Sequence, residues 1–365
     1  MHCDKTGIAK MLQIHMPGTL GGNLLEHLLV ESIGAVRGGG VFAWTNAGGA
    51  SLFLEDPVMA EMLANAKFSL LVGTDAITDT TAIEKLQAFE ARWPNLCVQA
   101  FLSPERSLFH PKFAWFEHDD HVSFIVGSGN LTVGGLLSNW EASYVVRVAL
   151  EDAEPSIAAI DSFMSSYEAS IFPMSDANVL DRVAQNKGNE RNLRGQSRLR
   201  GGSGSAAAVD EENTVLIAEI PAAGTRWQQA NFDKQNYEGF FGAKVGSQRR
   251  VVLQNVRPSG ELAPAESRPS VEVASQNYRF ELAAAAGVPY PTEGPPIGVF
   301  VKLDTGQFLY SLIVPGEDGY EEISQFLDVT WNGNARMKRR VTSTVRDFKT
   351  QWPGCPIWNA ALPDL

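Results

Sequence analysis

Between His110 and Glu141 the chain reads HPKFAWFEHDDHVSFIVGSGNLTVGGLLSNWE, and five of its side chains are of types that can act together on a phosphate ester. His110 and Lys112 are two residues apart, so on a strand they project from one face. A polar turn, EHDDH, then sends the chain back to Gly127-Ser128-Gly129-Asn130, where Ser128 and Asn130 are again two apart. The glycines at 127 and 129 are expected to let a ligand oxygen approach the backbone closely. Glu141 opens the next strand-like run. A neutral imidazole can attack phosphorus and form a covalent intermediate. Lysine and asparagine can neutralise and hydrogen-bond the non-bridging oxygens, and a hydroxyl adds a donor. A glutamate can orient an imidazole through its second ring nitrogen. None of these roles requires a metal or another cofactor. His118 and His121 lie in the turn, and their spacing shows no third ligand, so a solvated turn is the expectation there.

Taken singly, these signals are weak. A lone H-x-K occurs on ordinary polar strand faces, and G-S-G-N is a common turn. The ordered set with a hairpin inside it is far more specific. His110-Pro111-Lys112, Gly127-Ser128-Gly129-Asn130 and Asn139-Trp140-Glu141 together resemble the signature of the phospholipase D superfamily. The direct likeness covers residues 110–141. Where that signature usually has an aspartate five residues after the lysine, this chain has Glu117. The resemblance implies a mixed sheet flanked by helices and a metal-independent phosphodiesterase. In it His110 is nucleophile or general acid, Lys112 and Asn130 hold the scissile phosphate, Ser128 supports that contact, and Glu141 orients His110. The superfamily mechanism pairs two such motifs. Of six histidines (His2, His15, His27, His110, His118 and His121), only His110 has lysine two residues later. The implied complete site is therefore a homodimer, with His110 of two chains facing across a two-fold axis.

The elements that must carry these residues follow from periodicity. Phe68–Thr74 reads as a buried strand, Thr80–Trp93 as a helix closed by Pro94, and Asn95–Ser103 as the next strand. KFAWF and HVSFIVGS form the hairpin, Trp140–Val148 a further strand, and Ser156–Tyr167 a helix. Strand and helix alternate, which predicts an α/β layer. Residues 185–212, QNKGNERNLRGQSRLRGGSGSAAAVDEE, are nearly devoid of large apolar side chains and divide the chain. This gives a catalytic domain over 1–184, a linker over 185–212 and a second domain over 213–365. The linker carries Lys187, Arg191, Arg194, Arg198 and Arg200. A solvated tether accounts for it, with a basic arm that meets nucleic acid as the other reading. Beyond it, RRVVLQNV, SVEVAS, YRFEL, GVFVKL and FLYSLIV predict a β-rich or α+β domain, with ARMKRRVTSTVRDFKTQW as a closing basic helix. Asn231-Phe232-Asp233 and Phe240-Phe241-Gly242 look like the start and end of a helix.

Charge and cysteine content narrow the function classes. The net charge of −12 falls almost wholly on residues 1–185, which carry 10 basic against 22 acidic residues. That counts against a broad nucleic-acid footprint there, and does not exclude a narrow cationic cleft. In the second half, Arg249, Arg250, Arg279, Lys338, Arg339 and Arg340 (with Arg257 and Arg336 nearby) are the candidates for a DNA-contacting face. Three separated cysteines, Cys3, Cys97 and Cys355, predict neither a disulfide framework nor a cysteine zinc site. No apolar run reaches the ~18 residues of a membrane span, and the start lacks a signal-peptide core, so a cytoplasmic protein is expected. The layout is similar to that of metal-independent restriction endonucleases of the superfamily, and implies DNA cleavage in restriction or defence. The alternatives are a phospholipase or phosphatidyl transferase, and a non-catalytic DNA-binding dimer.

Overall fold

The computed structural model describes residues 10–17, 21–104, 107–186, 209–222, 227–243, 250–269, 278–334 and 337–360. The chain divides into two compact units near residue 203. The linker cations Lys187 to Arg200, the SVEVAS run, Arg249, Arg336, Cys3 and His2 lie outside the described residues. The edges of the sequence-defined linker are not bare chain. Asn186 is buried and donates to the carbonyls of Thr74 and Thr78. Val209 packs in the core of the second unit.

The first unit is α/β, as the alternation of elements predicts. Its strands are β1 (Lys10–His15), β2 (Arg37–Phe42), β3 (Lys67–Gly73), β4 (Leu96–Phe101), β5 (Lys112–Glu117), β6 (His121–Gly127), β7 (Glu141–Ala149) and β8 (Ile171–Pro173). They form a mixed sheet in the order β1-β7-β6-β5-β2-β3-β4-β8. Strands β2, β3 and β4 are parallel, and the other pairs antiparallel. Polar side chains at the helix starts set where each helix begins. Asn23 accepts from Glu26 N–H at the head of α1 (Leu24–Ser32), Asn46 from Gly49 N–H at α2 (Ala47–Leu54), and Asp79 from Ala82 N–H at α4 (Thr80–Arg92). Asp56 caps α3 (Pro57–Asn65), with proline in the first turn where its missing N–H costs nothing. Helix α5 (Leu150–Ser166) follows β7 without a loop, and α6 is Ala177–Ala184.

Helix α5 begins at Leu150, six residues before the start read from sequence, and carries Pro155 inside it. Glu151 and Asp152 in its first turn favour that earlier start through the helix dipole. On one face of the sheet Phe68 packs edge-on against Phe53 of α2 and stacks with Phe116. The other packs Val41, Leu71, Phe101 and Phe113 against Phe163 of α5. The glycine run of β2 has a steric cause. Gly39 is paired with Trp115, and any Cβ there would overlap the indole ring.

The second unit is sheet-rich. Strands β9 (Thr214–Glu219), β11 (Arg250–Val256), β12 (Leu262–Pro269), β14 (Ile297–Lys302), β15 (Phe308–Ile313) and β16 (Arg340–Thr344) form a sheet in the order β12-β11-β15-β14-β9-β16. Strands β10 (Gln229–Phe232) and β13 (Tyr278–Glu281) form a separate pair. Aromatic and aliphatic clusters fill both faces of the larger sheet, and α7 (Tyr320–Thr330) belongs to one of them. Two expectations change here. The basic segment at 335–352 is not one helix: Arg340–Thr344 pairs with β9, and only Val345–Gln351 is helical (α8). Its β-branched Val341, Thr342 and Thr344 favour the strand, and Thr344 then caps the helix through Asp347 N–H. The helix expected after Asn231-Phe232 is a single π turn, Gln235–Phe240, behind a strand end. Asp233 accepts from Asn236 N–H, and Gly242 takes the left-handed φ of +63°.

The best-defined polar clamp of the first unit lies on α1. Glu31 is buried, and Arg147 of β7 holds it with two hydrogen bonds of 2.8 Å while Ser123 of β6 adds one of 2.6 Å. Burial opposes ionisation of Glu31, but these donors outweigh it and hold the carboxyl below its ordinary 4.5. Arg147→Met is expected to cost about 2 kcal/mol in chemical denaturation. That is less than the ~3–5 kcal/mol of a fully buried broken pair, because the guanidinium is 41% exposed and screened. A folded-state pKa below the unfolded one stabilises above pH 4.5. The difference between native and variant proteins should therefore shrink as pH falls through the depressed value of Glu31.

Candidate functional site

Strand β5 begins at Lys112 and β6 ends at Gly127, so the hairpin brings both ends of the H-x-K and G-S-x-N pair to one edge of the sheet. Glu141 starts β7 at the same edge, paired with His15 of β1. Lys112 and Glu141 lie on the same sheet face, because Phe113 pairs with Val126 and Gly127 with Ser143. His110 itself sits just before β5 and is exposed. It does not share a strand face with Lys112 as the spacing suggested. Instead Lys112 Nζ donates to the His110 carbonyl at 3.0 Å, which ties the loop to the lysine.

Trp44, just beyond the end of β2, connects the parts. Its indole ring meets the His110 imidazole edge-on, with centroids 5.1 Å apart. Lys112 Nζ lies 5.7 Å from the same ring. Its backbone N–H donates to Asn130 Oδ1 at 3.2 Å. With that oxygen occupied, the Asn130 Nδ2 group is the donor left for a ligand. Trp44 is far from the motif in sequence, and no local signal marks it. Long-range pairing brings it there: β2 against β5, with Phe42 opposite Lys112, and a parallel bridge between Thr45 and Leu131.

Ser128 Oγ donates to Glu141 Oε2 in a very short contact and accepts from Ala142 N–H at 3.0 Å. Asn139 Nδ2 reaches Glu141 Oε1 at 3.4 Å. Among the described residues the His110 ring makes no hydrogen bond, and within one chain Glu141 engages Ser128 and Asn139 rather than His110. The glycines serve packing rather than ligand approach. A Cβ on Gly127 would meet the Ala142 carbonyl at 2.6 Å, and one on Gly129 the Gly135 carbonyl at 2.6 Å and Leu24 at 2.7 Å. Glu117 lies at the other end of β5, paired with Arg37 at 2.6 Å.

The electrostatics suit a nucleophilic imidazole. Desolvation lowers the pKa of His110 below 6.5, and the Lys112 ammonium lowers it further. The ring is thus neutral at pH 7 with its lone pair free. Desolvation also lowers the pKa of Lys112, whose relative exposure is only 8%, while Glu141 acts the other way.

The second-half cations divide into two groups. Arg339 is bound by Glu219 and Asp328, Arg340 by Asp233 and the Asn231 carbonyl, and buried Arg250 by Ser267. Arg279 and Lys338 make no ion pair among the described residues, and Arg257 pairs with Glu261 at the surface. Arg249 lies outside the described residues.

Removing the ammonium next to His110 tests this electrostatic reading directly. In Lys112→Met, the His110 ring resonances are expected to titrate at a higher pH than in the native protein, by proton NMR. An unchanged midpoint would remove Lys112 as a cause of the depression.

No protein-family model matches the chain. No curated protein matches it either. Among solved structures it is similar to NucT from Helicobacter pylori, at 14% identity and a TM-score of 0.31, over 46% of this chain and 99% of that one. It is also similar to Nuc, a phospholipase D family member from Salmonella typhimurium, at 12% identity and a TM-score of 0.33, over 46% and 97%. A third is the phosphatidylserine synthase of Haemophilus influenzae Rd KW20, at 12% and 0.34, over 53% and 46%.

Proposed function

We propose that this chain is a metal-independent phosphodiesterase that cleaves DNA as a homodimer, in restriction or defence. The observation that carries the reading is the convergence at one sheet edge of a neutral imidazole, a desolvated ammonium, a carboxamide donor and a Ser–Glu pair. In the proposed mechanism His110 of one chain attacks phosphorus while His110 of the other protonates the leaving oxygen. Water then attacks the phosphohistidine, and the second histidine takes its proton. Lys112 and the Asn130 amide neutralise the non-bridging oxygens, and Ser128 supports them. Glu141 does not reach His110 within one chain, so its orienting role belongs to the assembled site.

Two equivalent histidines of lowered pKa would both be neutral without substrate. A bound phosphodiester anion favours protonation of the one nearer the leaving oxygen, which separates their roles.

The dimer has structural support besides the single H-x-K. Leu12, Tyr144 and Val126 stand opposite one another across β1, β7 and β6 and are 64%, 39% and 54% exposed. Ile14, 67% exposed, pairs with Ala142, whose backbone bonds Ser128. An apolar row of this kind suits a second copy of the same face; it lies on the sheet face opposite to Lys112 and Glu141 and reaches their edge of the sheet at Ile14. Among the described residues no helix is long and apolar enough to cross a membrane. In this reading residues 1–184 do the chemistry, 185–212 link, and 213–365 contact DNA, with Arg279 and Lys338 as its available cations.

Purified protein in excess EDTA should cleave plasmid or phage DNA and form an acid-labile, base-stable phosphoenzyme. His110→Ala should lose at least about 1,000-fold in rate and form none. Persistent cleavage by the variant would remove His110 from the mechanism. A DNA-binding dimer that never cleaves would leave the non-catalytic reading standing. The acid limb of the pH–rate profile should lie below 6.5, since the nucleophile must be deprotonated and its pKa is lowered. A strictly monomeric active species by light scattering would overturn the shared site.

A further inference from the structure

The β5–β6 hairpin has a second cluster of titratable groups, at the end opposite to His110. His118 and His121 flank the turn, their rings stacked at 4.3 Å with planes within 5°. Glu31 of α1 comes up beside them, and one donor atom from each of the three lies within 4.8 Å of the others. Sequence spacing hides this third group, because Glu31 is brought in by helix packing and not by the turn. We infer that Glu31, His118 and His121 form a site for a divalent transition-metal ion, zinc above all, which staples the hairpin tip to α1.

Several features favour a ligand here over a merely polar turn. His118 Nε2 is buried and has no hydrogen-bond partner among the described residues. A buried ring nitrogen left unsatisfied has a cost that a metal bond removes. His121 Nδ1 is held by Asp120 Oδ1 at 2.6 Å. A carboxylate on one ring nitrogen fixes the tautomer and strengthens the other nitrogen as a ligand, as second partners of metal-bound imidazoles do. Glu31 has capacity left. Of roughly four acceptor positions on a carboxylate, Oε2 uses two, for Arg147 Nε and Ser123 Oγ, and Oε1 uses one, for the second Arg147 nitrogen.

The donor set, two imidazoles and a carboxylate with a water completing four, suits zinc and its neighbours and not magnesium or calcium. Donors on a tetrahedral zinc stand about 3.4 Å apart, given bonds of ~2.0–2.1 Å. The stack must therefore open and close on the ion slightly, which an exposed turn permits. The Arg147 guanidinium opposes a cation here. The acidic side chains of Asp119 and Asp120 on the turn offset it. The position, a full strand length from His110, gives the ion a structural role and leaves the proposed chemistry metal-free.

The test uses full-length protein stripped with a chelator and returned to metal-free buffer. Titration with zinc against a fluorescent chelator should show one equivalent per chain. Cobalt should give the visible bands of a four- or five-coordinate nitrogen–oxygen site. Zinc should also raise the thermal midpoint. Binding and the thermal shift should be lost in His121→Ala, whose residue opens β6 beside the turn, and in His118→Ala. They should persist in His110→Ala and Cys97→Ser. Asp120→Asn, on an exposed side chain, should weaken binding by about 10–100-fold. No stoichiometric binding by the native protein would overturn the inference. Binding that His121→Ala leaves intact, or that His110→Ala abolishes, would overturn it equally.

Discussion

The register of three antiparallel strands governs where the reactive groups of this protein emerge. Side chains on a strand alternate between faces, so a one-residue slip of β6 against β5 or β7 would send Lys112 and Glu141 to opposite sides. Apolar alternation alone tolerates such slips poorly but does not forbid them. Here two polar clamps sit at the end of the strands remote from His110. Ser123 and Arg147 are direct cross-strand partners, and both bind the same buried carboxylate, Glu31. Arg37 and Glu117 are likewise cross-strand partners and form an ion pair. The first cannot be re-formed after a slip of β6 against β7, and the second holds β5 in register with β2, so groups that take no part in the proposed chemistry help to set its geometry.

Trp44 shows how the same sheet makes an environment as well as a position. The ring shields Lys112 and the edge of His110 from water, and desolvation is the leading cause of the lowered pKa in both. An ammonium in water is a weak partner for a phosphate. The same ammonium under an indole ring meets the anion with less competing hydration. The backbone of Trp44 also fixes Asn130, so one residue orients the amide and packs against the His110 ring.

The strands that bear the motif, and the meeting of its residues at one sheet edge, were legible because both depend on short-range spacing. His110, Lys112, Ser128, Asn130 and Glu141 follow from a hairpin and the strand after it, and β3, α4, β4, β5, β6 and β7 follow from alternation and capping. What escaped depends on long-range pairing. Trp44 arrives through β2 against β5, and Glu31 through α1 against β6 and β7. The glycines at 127 and 129 read as space for a ligand because sequence cannot show the Ala142 and Gly135 carbonyls that approach them. Residues 340–344 carry basic charge compatible with a helix, but β-branching and an open edge beside β9 made a strand.

The second unit illustrates why a cluster of arginines is an ambiguous signal. Arg339, just before β16, and Arg340, its first residue, are adjacent in the chain yet reach different acids, Glu219 and Asp233. A guanidinium already held bidentately must give up those bonds before it can take a phosphate, and the buried carboxylate it leaves, with Glu219 only 6% exposed, opposes the exchange. Arg339 therefore fastens the start of β16 to β9 and α7, and Arg340 fastens it to the end of β10. Any DNA contact by this unit has to begin from cations without internal partners, and Arg279 and Lys338 meet that condition among the described candidates.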